Sequence, residues 1–434
     1  MTICLVTDSF PPSTGGIATF CKHLANIFVH KGHRVVVLTV NPLSSDRDIT
    51  EITDDIVKVT LQESYQAFVH LYKPFFRPGG HDAPNWLAMG LAIRDWLLRN
   101  TGTYAIDLID ISDYGGLGTF LVGKDLPPFV ISAHGSLHQL QPFNHQFETD
   151  HTRVIKRLET SAFENAGAVI AHSYLNKESV EKTFNIRVDF ARAPWQSENL
   201  PLDSSGEDQG PLVIGGLQNT KGAIVMARTM QESGDEGHPF NLKWIGYDTY
   251  TAPTTDLMSV YLANMFPDVW QKRFQWRGRM DYESTMKELA AASFLVIPSL
   301  WETFNYTALE AAVMGKAAII TKTSGVSYVF RHAHDALLIE PGDNQELAHA
   351  IQVLNRDPSL RRQMGEYARS TVLEHFQTDA IYNERFAVYQ KVLQHIKRDV
   401  QLDDLLNFLN RYTTVTRKGY YALRATLKKY LKPK

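Results

Sequence analysis

Short apolar runs alternate with longer segments of helical spacing along most of the chain. Residues 2–7 (Thr-Ile-Cys-Leu-Val-Thr) form the first run, of strand length, and it stops at Asp8. A loop with two prolines follows, and it carries the pair Gly15 and Gly16, where backbone can approach a ligand closely. Ile17, Phe20, Cys21, Leu24, Ala25 and Phe28 then share one helical face, and Gly32 supplies a stop. Residues 34–40 are almost continuously apolar, as strands buried on both faces are. These three elements make a β-α-β unit. Further strands are expected at 106–111, 128–133 and 166–171, the last two running into His134 and His172.

A polar stretch rich in Pro, Gly and Ser spans 197–210 and reads as a linker. Beyond it the alternation restarts, with strands opening at Pro211, Leu242 and Phe274 and further ones at 291–297 and 317–321. The expected fold class is α/β, with two Rossmann-like doubly wound domains facing across a cleft. The N-terminal domain takes residues 1–196 and the C-terminal Rossmann-like domain takes 211–375. A helix over 376–398, packing back toward the N-terminal domain, and a basic amphipathic tail over 399–434 complete the chain. Ligands in such sheets bind at the carboxyl ends of strands, and the loops singled out here all lie there.

The run Pro298-Ser-Leu-Trp-Glu302 brings chemistry into this frame, because Glu310 follows seven intervening residues later. Tyr306, Leu309, Val313 and Met314 fall at helical spacing, so Glu302 sits in a loop and Glu310 inside a helix. Thr303 and Asn305 are the candidate caps. The unpaired N–H groups of the first helical turn, with the helix dipole, make an anion site. Two acids with amides between them suit a ligand bearing both hydroxyls and phosphates, and a sugar nucleotide is such a ligand.

Length and composition are compatible with this. A chain of 434 residues can hold two cores, and 44% hydrophobic with 21% charged residues is ordinary for a globular protein. No apolar run reaches the length of a membrane span, and the first apolar stretch is too short for a signal peptide. Cys4 and Cys21 read as small core residues, not as a disulfide. The expected compartment is the cytoplasm, and no nucleic-acid partner is expected.

The segment from Pro298 through Glu302, Phe304 and Glu310 to Gly315 resembles the E-x7-E signature of the large retaining glycosyltransferase family of GT-B fold (family 4-like, glycosyl transferases group 1). The Gly15–Gly16 loop and its helix look like the first unit of that family, where the loop contacts donor phosphate or acceptor. Residues 159–173 fit a further family segment, and His134 matches the histidine that reaches the transferred sugar in relatives. The family pattern Gly-Arg-Leu, three residues, Lys-Gly appears as Gly215-Gly216-Leu217 and Lys221-Gly222. The lysine is kept, but Gly216 replaces the arginine; in relatives both cations contact the diphosphate. Arg279 and Arg192 are candidates to compensate.

The resemblance covers roughly residues 1–395 and implies a hexosyltransferase acting on a nucleotide-diphospho-sugar, a UDP-sugar in first place and GDP-mannose in second. It places Glu302, His134 and Lys221 as catalytic residues. Donor binding falls to Gly15, Gly16, Lys221, Gly246, Arg279 and Met280, and to Glu302, Phe304, Asn305, Tyr306, Thr307 and Glu310. Glu310 is expected on the ribose hydroxyls and Glu302 on the sugar hydroxyls. No cofactor and no metal are expected, because Lys221 and the amides of Tyr306 and Thr307 supply positive charge to the leaving diphosphate. Retention is expected by front-face attack, with donor phosphate taking the acceptor proton. A sugar-nucleotide isomerase of the same fold and a non-catalytic binding protein are the alternatives. The aromatic-rich stretch 62–80 is a candidate acceptor surface, and the expected acceptor is a carbohydrate or a lipid-linked one.

The C-terminus adds a charge asymmetry. From Arg411 onward there are eight Lys or Arg and no acid, a local charge of +8. The preceding 410 residues hold 36 basic against 47 acidic residues, a net of −11. Tyr420, Leu423, Leu427, Tyr430 and Leu431 give that tail an apolar stripe. A basic amphipathic helix suits either an anionic membrane surface, with the enzyme peripheral on the cytoplasmic face, or the acidic body of the protein itself.

Overall fold

The computed structural model describes residues 1–13, 15–40, 48–53, 55–72, 82–123, 125–145, 147–197, 209–254 and 256–394. The tail, most of the predicted linker and the glycine-rich end of the aromatic stretch 62–80 lie outside the described residues.

Two sheets form. The first contains β1 (Thr2–Thr7), β2 (Arg34–Val40), β3 (Ile49–Thr53), β4 (Ile56–Leu61), β5 (Leu108–Ser112), β6 (Phe129–Ala133), β7 (Ala168–Ala171) and β8 (Asp189–Phe190). Their spatial order is β3-β4-β2-β1-β5-β6-β7-β8, parallel except for the β3–β4 pair. The second contains β9 (Pro211–Ile214), β10 (Leu242–Ile245), β11 (Phe274–Trp276), β12 (Phe294–Ile297), β13 (Ala318–Thr321) and β14 (Leu337–Ile339). Their order is β11-β10-β9-β12-β13-β14, all parallel.

Strand order reverses between β1 and β5 in the first sheet and between β9 and β12 in the second. Helices leave on opposite faces at such a switch point, so a crevice opens at the strand ends. The Gly15–Gly16 loop follows β1, the 215–222 loop follows β9, and the Glu302 loop follows β12. The sequence motifs are therefore neighbours because of the winding of the sheets.

The buried parallel strands read clearly because side chains on both faces are apolar; β1 is buried at all six positions. Strand β3 (Ile-Thr-Glu-Ile-Thr) is an exposed edge, and its sequence carries little burial signal. Helix Asp82–Tyr104 buries Leu87, Leu91, Trp96 and Leu97 over the first sheet. Cys4 and Cys21 are free and buried.

The helix Thr378–Leu393 follows the second sheet in sequence but packs on the first. Val388, Tyr389 and Val392 join Ile3 and Leu5 of β1, with Leu24 and Phe28 of helix Gly16–His30, in one cluster. Arg385 of this helix is 0% exposed and pairs with Asp110 of β5 at 2.5 Å. Among the described residues no helix is long and apolar enough to cross a membrane.

Candidate active site

A cavity of about 600 Å³ lies between the two sheets. Gly15, Gly16 and Thr19 of the N-terminal half form one side. The 214–216 turn, Lys221 and Gly246 form the opposite floor, with Arg279 and Met280 at one end. Glu302, Phe304 and the start of helix Tyr306–Val313, down to Glu310, close the remaining wall. Every donor-side residue expected from sequence lies on this lining. His134 does not.

The geometry around Glu302 is a closed hydrogen-bond set. Its Oε1 accepts from the Lys221 ammonium. Its Oε2 accepts from the Ser299 hydroxyl (3.0 Å) and the Asn305 amide (3.1 Å). The carboxylate is only 7% exposed, so it is no freely solvated loop charge. Asn305 also caps the helix, its Oδ1 accepting from the Ala308 N–H at 3.1 Å. Thr303, the other candidate cap, instead donates to the His134 carbonyl (3.1 Å). The helix therefore begins beside Glu302, and its first residues, Tyr306 and Thr307, whose N–H groups have no intrahelical partners, line the cavity.

Burial pulls the Lys221 ammonium down from its ordinary range to about 8. The Glu302 carboxylate beside it opposes that shift and favours the charged form at neutral pH. Glu310 is buried on the same lining at 6% exposure. Gly246 is required by a close approach, since a Cβ there would fall 1.8 Å from the Gly215 carbonyl oxygen.

His134 sits edge-on to Phe20, with ring centroids 4.3 Å apart, and 5.3 Å from His172. Its Nε2 is enclosed without a hydrogen-bond partner. Burial, helped by the Arg385 charge, lowers its pKa to about 3, so the ring is neutral. Its loop is held from below by two acids. Asp113 accepts from the N–H groups of His134 (2.8 Å) and Gly135 (3.1 Å), and burial raises its carboxyl to about 6. Glu159 accepts from Gly115 (3.2 Å) and Leu137 (2.9 Å), and burial raises it to about 8. Both acids hold loop backbone, a role that the sequence motif around Glu159 did not disclose.

Of the two cations considered for the missing arginine, Arg192 is excluded. Its guanidinium is bound to Glu384 (3.1 Å) and to the His375 carbonyl (2.6 Å). Arg279 lines the cavity. The space that an arginine at Gly216 would enter is crowded by two side chains. A Cβ there would lie 3.1 Å from the Tyr247 ring and 3.2 Å from Gln218 Nε2, and these two side chains bond each other at 3.2 Å. Gly216→Arg alone is therefore expected to weaken nucleoside diphosphate binding. Combining it with Tyr247→Ala is expected to reverse the loss. Titration calorimetry decides this, and tighter binding by the single variant contradicts it.

Two doubly wound parallel sheets, with a ligand-sized cavity where their switch points meet, are the architecture of the GT-B glycosyltransferases. Residues 14–190 match Glycosyltransferase Family 4, and residues 212–371 match Glycosyl transferases group 1. An uncharacterized glycosyltransferase of Methanocaldococcus jannaschii is 24% identical over 429 residues, covering 92% of this chain and all of the relative. Among solved structures, sucrose-phosphate synthase from Thermosynechococcus elongatus superposes with a TM-score of 0.68 at 19% identity, covering 90% of this chain and 98% of that one. HepE of Anabaena, solved in complex with UDP and glucose, gives 0.59 at 15% identity, covering 89% and 99%. The chain belongs to the family 4-like, group 1 glycosyltransferases, and it is an enzyme of that family.

Proposed function

We propose that the chain is a retaining hexosyltransferase that moves a hexose from a nucleotide-diphospho-sugar to a hydroxyl of a carbohydrate or lipid-linked acceptor. The observation that carries this is the Lys221–Glu302 pair on the cavity wall, beside a capped helix N-terminus and the buried Glu310. A UDP-sugar is the favoured donor, with GDP-mannose second. The UDP and glucose bound by HepE, a structure of the same fold, support that order.

The chemistry follows from the residues. Donor phosphate competes with Glu302 for the Lys221 ammonium. When phosphate takes the cation, the carboxylate is released to accept hydrogen bonds from sugar hydroxyls. Negative charge grows on the diphosphate as the glycosidic bond breaks. Lys221 and the Tyr306 and Thr307 amides stabilise it in place, without reorganising at the moment of reaction. Glu310 binds the ribose hydroxyls. The acceptor attacks from the face that the leaving group vacates, and donor phosphate takes its proton, so configuration is retained. No metal is needed for charge compensation.

Incubation with UDP-, GDP- and ADP-sugars, with and without a chelator, tests this reading. The expected result is nucleoside diphosphate release from a UDP-hexose at a rate that chelation leaves unchanged. Sugar interconversion without release, binding alone, or a rate restored only by added Mg²⁺ contradicts it.

We place the enzyme in the cytoplasm, peripheral on the membrane through its basic tail over residues 399–434. Each Lys or Arg near an anionic surface contributes about 1 kcal/mol, and salt screens the attraction. The full chain is expected to sediment with phosphatidylserine vesicles at low salt, and a chain ending at Arg398 is not. Equal recovery of both in the supernatant removes the membrane role and leaves the tail to the acidic body or a protein partner.

A further inference from the structure

The segment after the short helix Leu137–Leu140 belongs to the N-terminal half in sequence, yet its groups bind the other half. Asn144 Oδ1 accepts from the Thr220 N–H (3.1 Å) and from the Thr220 hydroxyl. Asn219 Nδ2 donates to the Phe143 carbonyl (2.6 Å) and lies 3.1 Å from His145 Nε2. The Phe143 ring is parallel to the Trp301 indole within 6°, with centroids 6.0 Å apart. Asn144, Asn219, Thr220 and Trp301 are all buried. His145 holds a left-handed backbone, φ 49°, which a non-glycine residue keeps where its surroundings fix it.

The targets of this segment sit directly before the two charged groups of the cavity wall. Thr220 precedes Lys221, and Trp301 precedes Glu302. The two target loops are tied to each other by the Leu300 N–H, which donates to the Thr220 carbonyl at 2.8 Å. On the far side of Glu302, Thr303 is held by the His134 carbonyl and by the Ser173 hydroxyl, which donates to its carbonyl at 2.8 Å. The N-terminal half therefore holds the Trp301 ring on one side of Glu302, the Thr303 carbonyl on the other, and the Thr220 backbone immediately before Lys221.

We propose that residues 143–145 form a clamp, reaching across from the N-terminal half, that sets the Lys221–Glu302 pair, with Asn144 as its positioning residue. This rests on the reading of Lys221 and Glu302 as donor-site groups. Asn144 touches neither; it acts through the Thr220 backbone. Arg279, Met280 and Glu310 also line the cavity from the C-terminal half, so nucleotide affinity, which Lys221 shares with them, does not hinge on the clamp. Turnover does, because small misplacements of reacting groups are costly in rate.

The experiment compares Asn144→Ala and Asn144→Asp in the full chain. Aspartate keeps an acceptor oxygen in place of Oδ1; alanine removes it. Asn144→Ala is expected to lower kcat by roughly 10- to 100-fold, with the Kd for UDP changed by less than about threefold. Asn144→Asp is expected to restore most of the rate. Amide exchange in peptides covering 217–222 and 300–303 is expected to speed up in Asn144→Ala without donor. Unchanged kcat, even with a lowered Tm, reduces Asn144 to a packing role and overturns the proposal. A UDP affinity that falls in step with kcat overturns it too. If wild-type chain releases no nucleoside diphosphate from any donor, the transferase reading fails instead. Amide exchange then decides the clamp alone, and unchanged protection at 217–222 removes it.

Discussion

Replacing Glu302 with glutamine should reduce turnover about 100- to 1000-fold, the scale of losing one preorganised polar group at a reacting centre. Glutamine keeps the shape and can still accept from the Ser299 hydroxyl or the Asn305 amide, so the fold should survive. Alanine should do more damage. It strips the Lys221 ammonium, the Ser299 hydroxyl and the Asn305 amide of their shared acceptor. Leaving such groups unpaired costs about 1–3 kcal/mol. Glu302→Ala should therefore lower Tm as well as activity, where a solvated loop residue would lower activity alone. A second readout is the pH dependence of UDP binding. Burial has brought Lys221 to about 8, so wild-type affinity should fall as pH rises through that value and the cation is lost. Without the carboxylate nothing opposes the burial, so in Glu302→Gln the fall should move to lower pH. Wild-type turnover in Glu302→Gln, or an unmoved pH limb, would contradict these roles.

Arg385→Met should produce the largest loss of stability in the chain. The guanidinium is 0% exposed and bonds Asp110 at 2.5 Å and the Ser132 hydroxyl at 2.9 Å. Tyr389 also donates to the Asp110 carboxylate, and Phe20 lies under the guanidinium with 5.0 Å to its centroid. Removing one partner of a buried ion pair leaves an uncompensated charge and costs about 3–5 kcal/mol. Methionine fills much of the volume, so the lost charge pairing dominates the effect. Arg385→Met combined with Asp110→Asn should recover a substantial part, because both charges are then gone. Thermal unfolding of the two variants measures this. A single variant as stable as wild type would show that the pair contributes nothing.

The donor-side residues were legible for a topological reason. Gly15, Lys221 and Glu302 each follow a strand directly, and the strands they follow flank the two switch points. What was illegible is what tertiary structure alone decides. Glu302 meets Lys221 from 81 residues away, and no local pattern marks that pairing. Arg192 looked available in sequence and is committed to Glu384. His134 falls at the expected strand end, but its ring is enclosed by Phe20 and His172 and lies off the cavity lining. The β3–β4 hairpin escaped notice because its edge strand is fully exposed and so lacks an apolar face. Asn144 carries no signal at all, since its partners come from the other half of the chain.

The helix Thr378–Leu393, seated in the core of the first sheet, fixes the order in which the molecule can be finished. Arg385 lies 275 residues beyond the Asp110 it neutralises. A ribosome adding about 5–20 residues per second needs roughly 15–55 s to cover that distance. Throughout that time Ile3 and Leu5 lack the part of their cover that Val388, Tyr389 and Val392 supply, and Asp110 lacks its counter-charge. The half made first is thus the half completed last. During synthesis the second sheet can close around its own strands while the first waits with part of one apolar face uncovered. Cutting the gene at the linker would leave the N-terminal fragment in that unfinished state permanently.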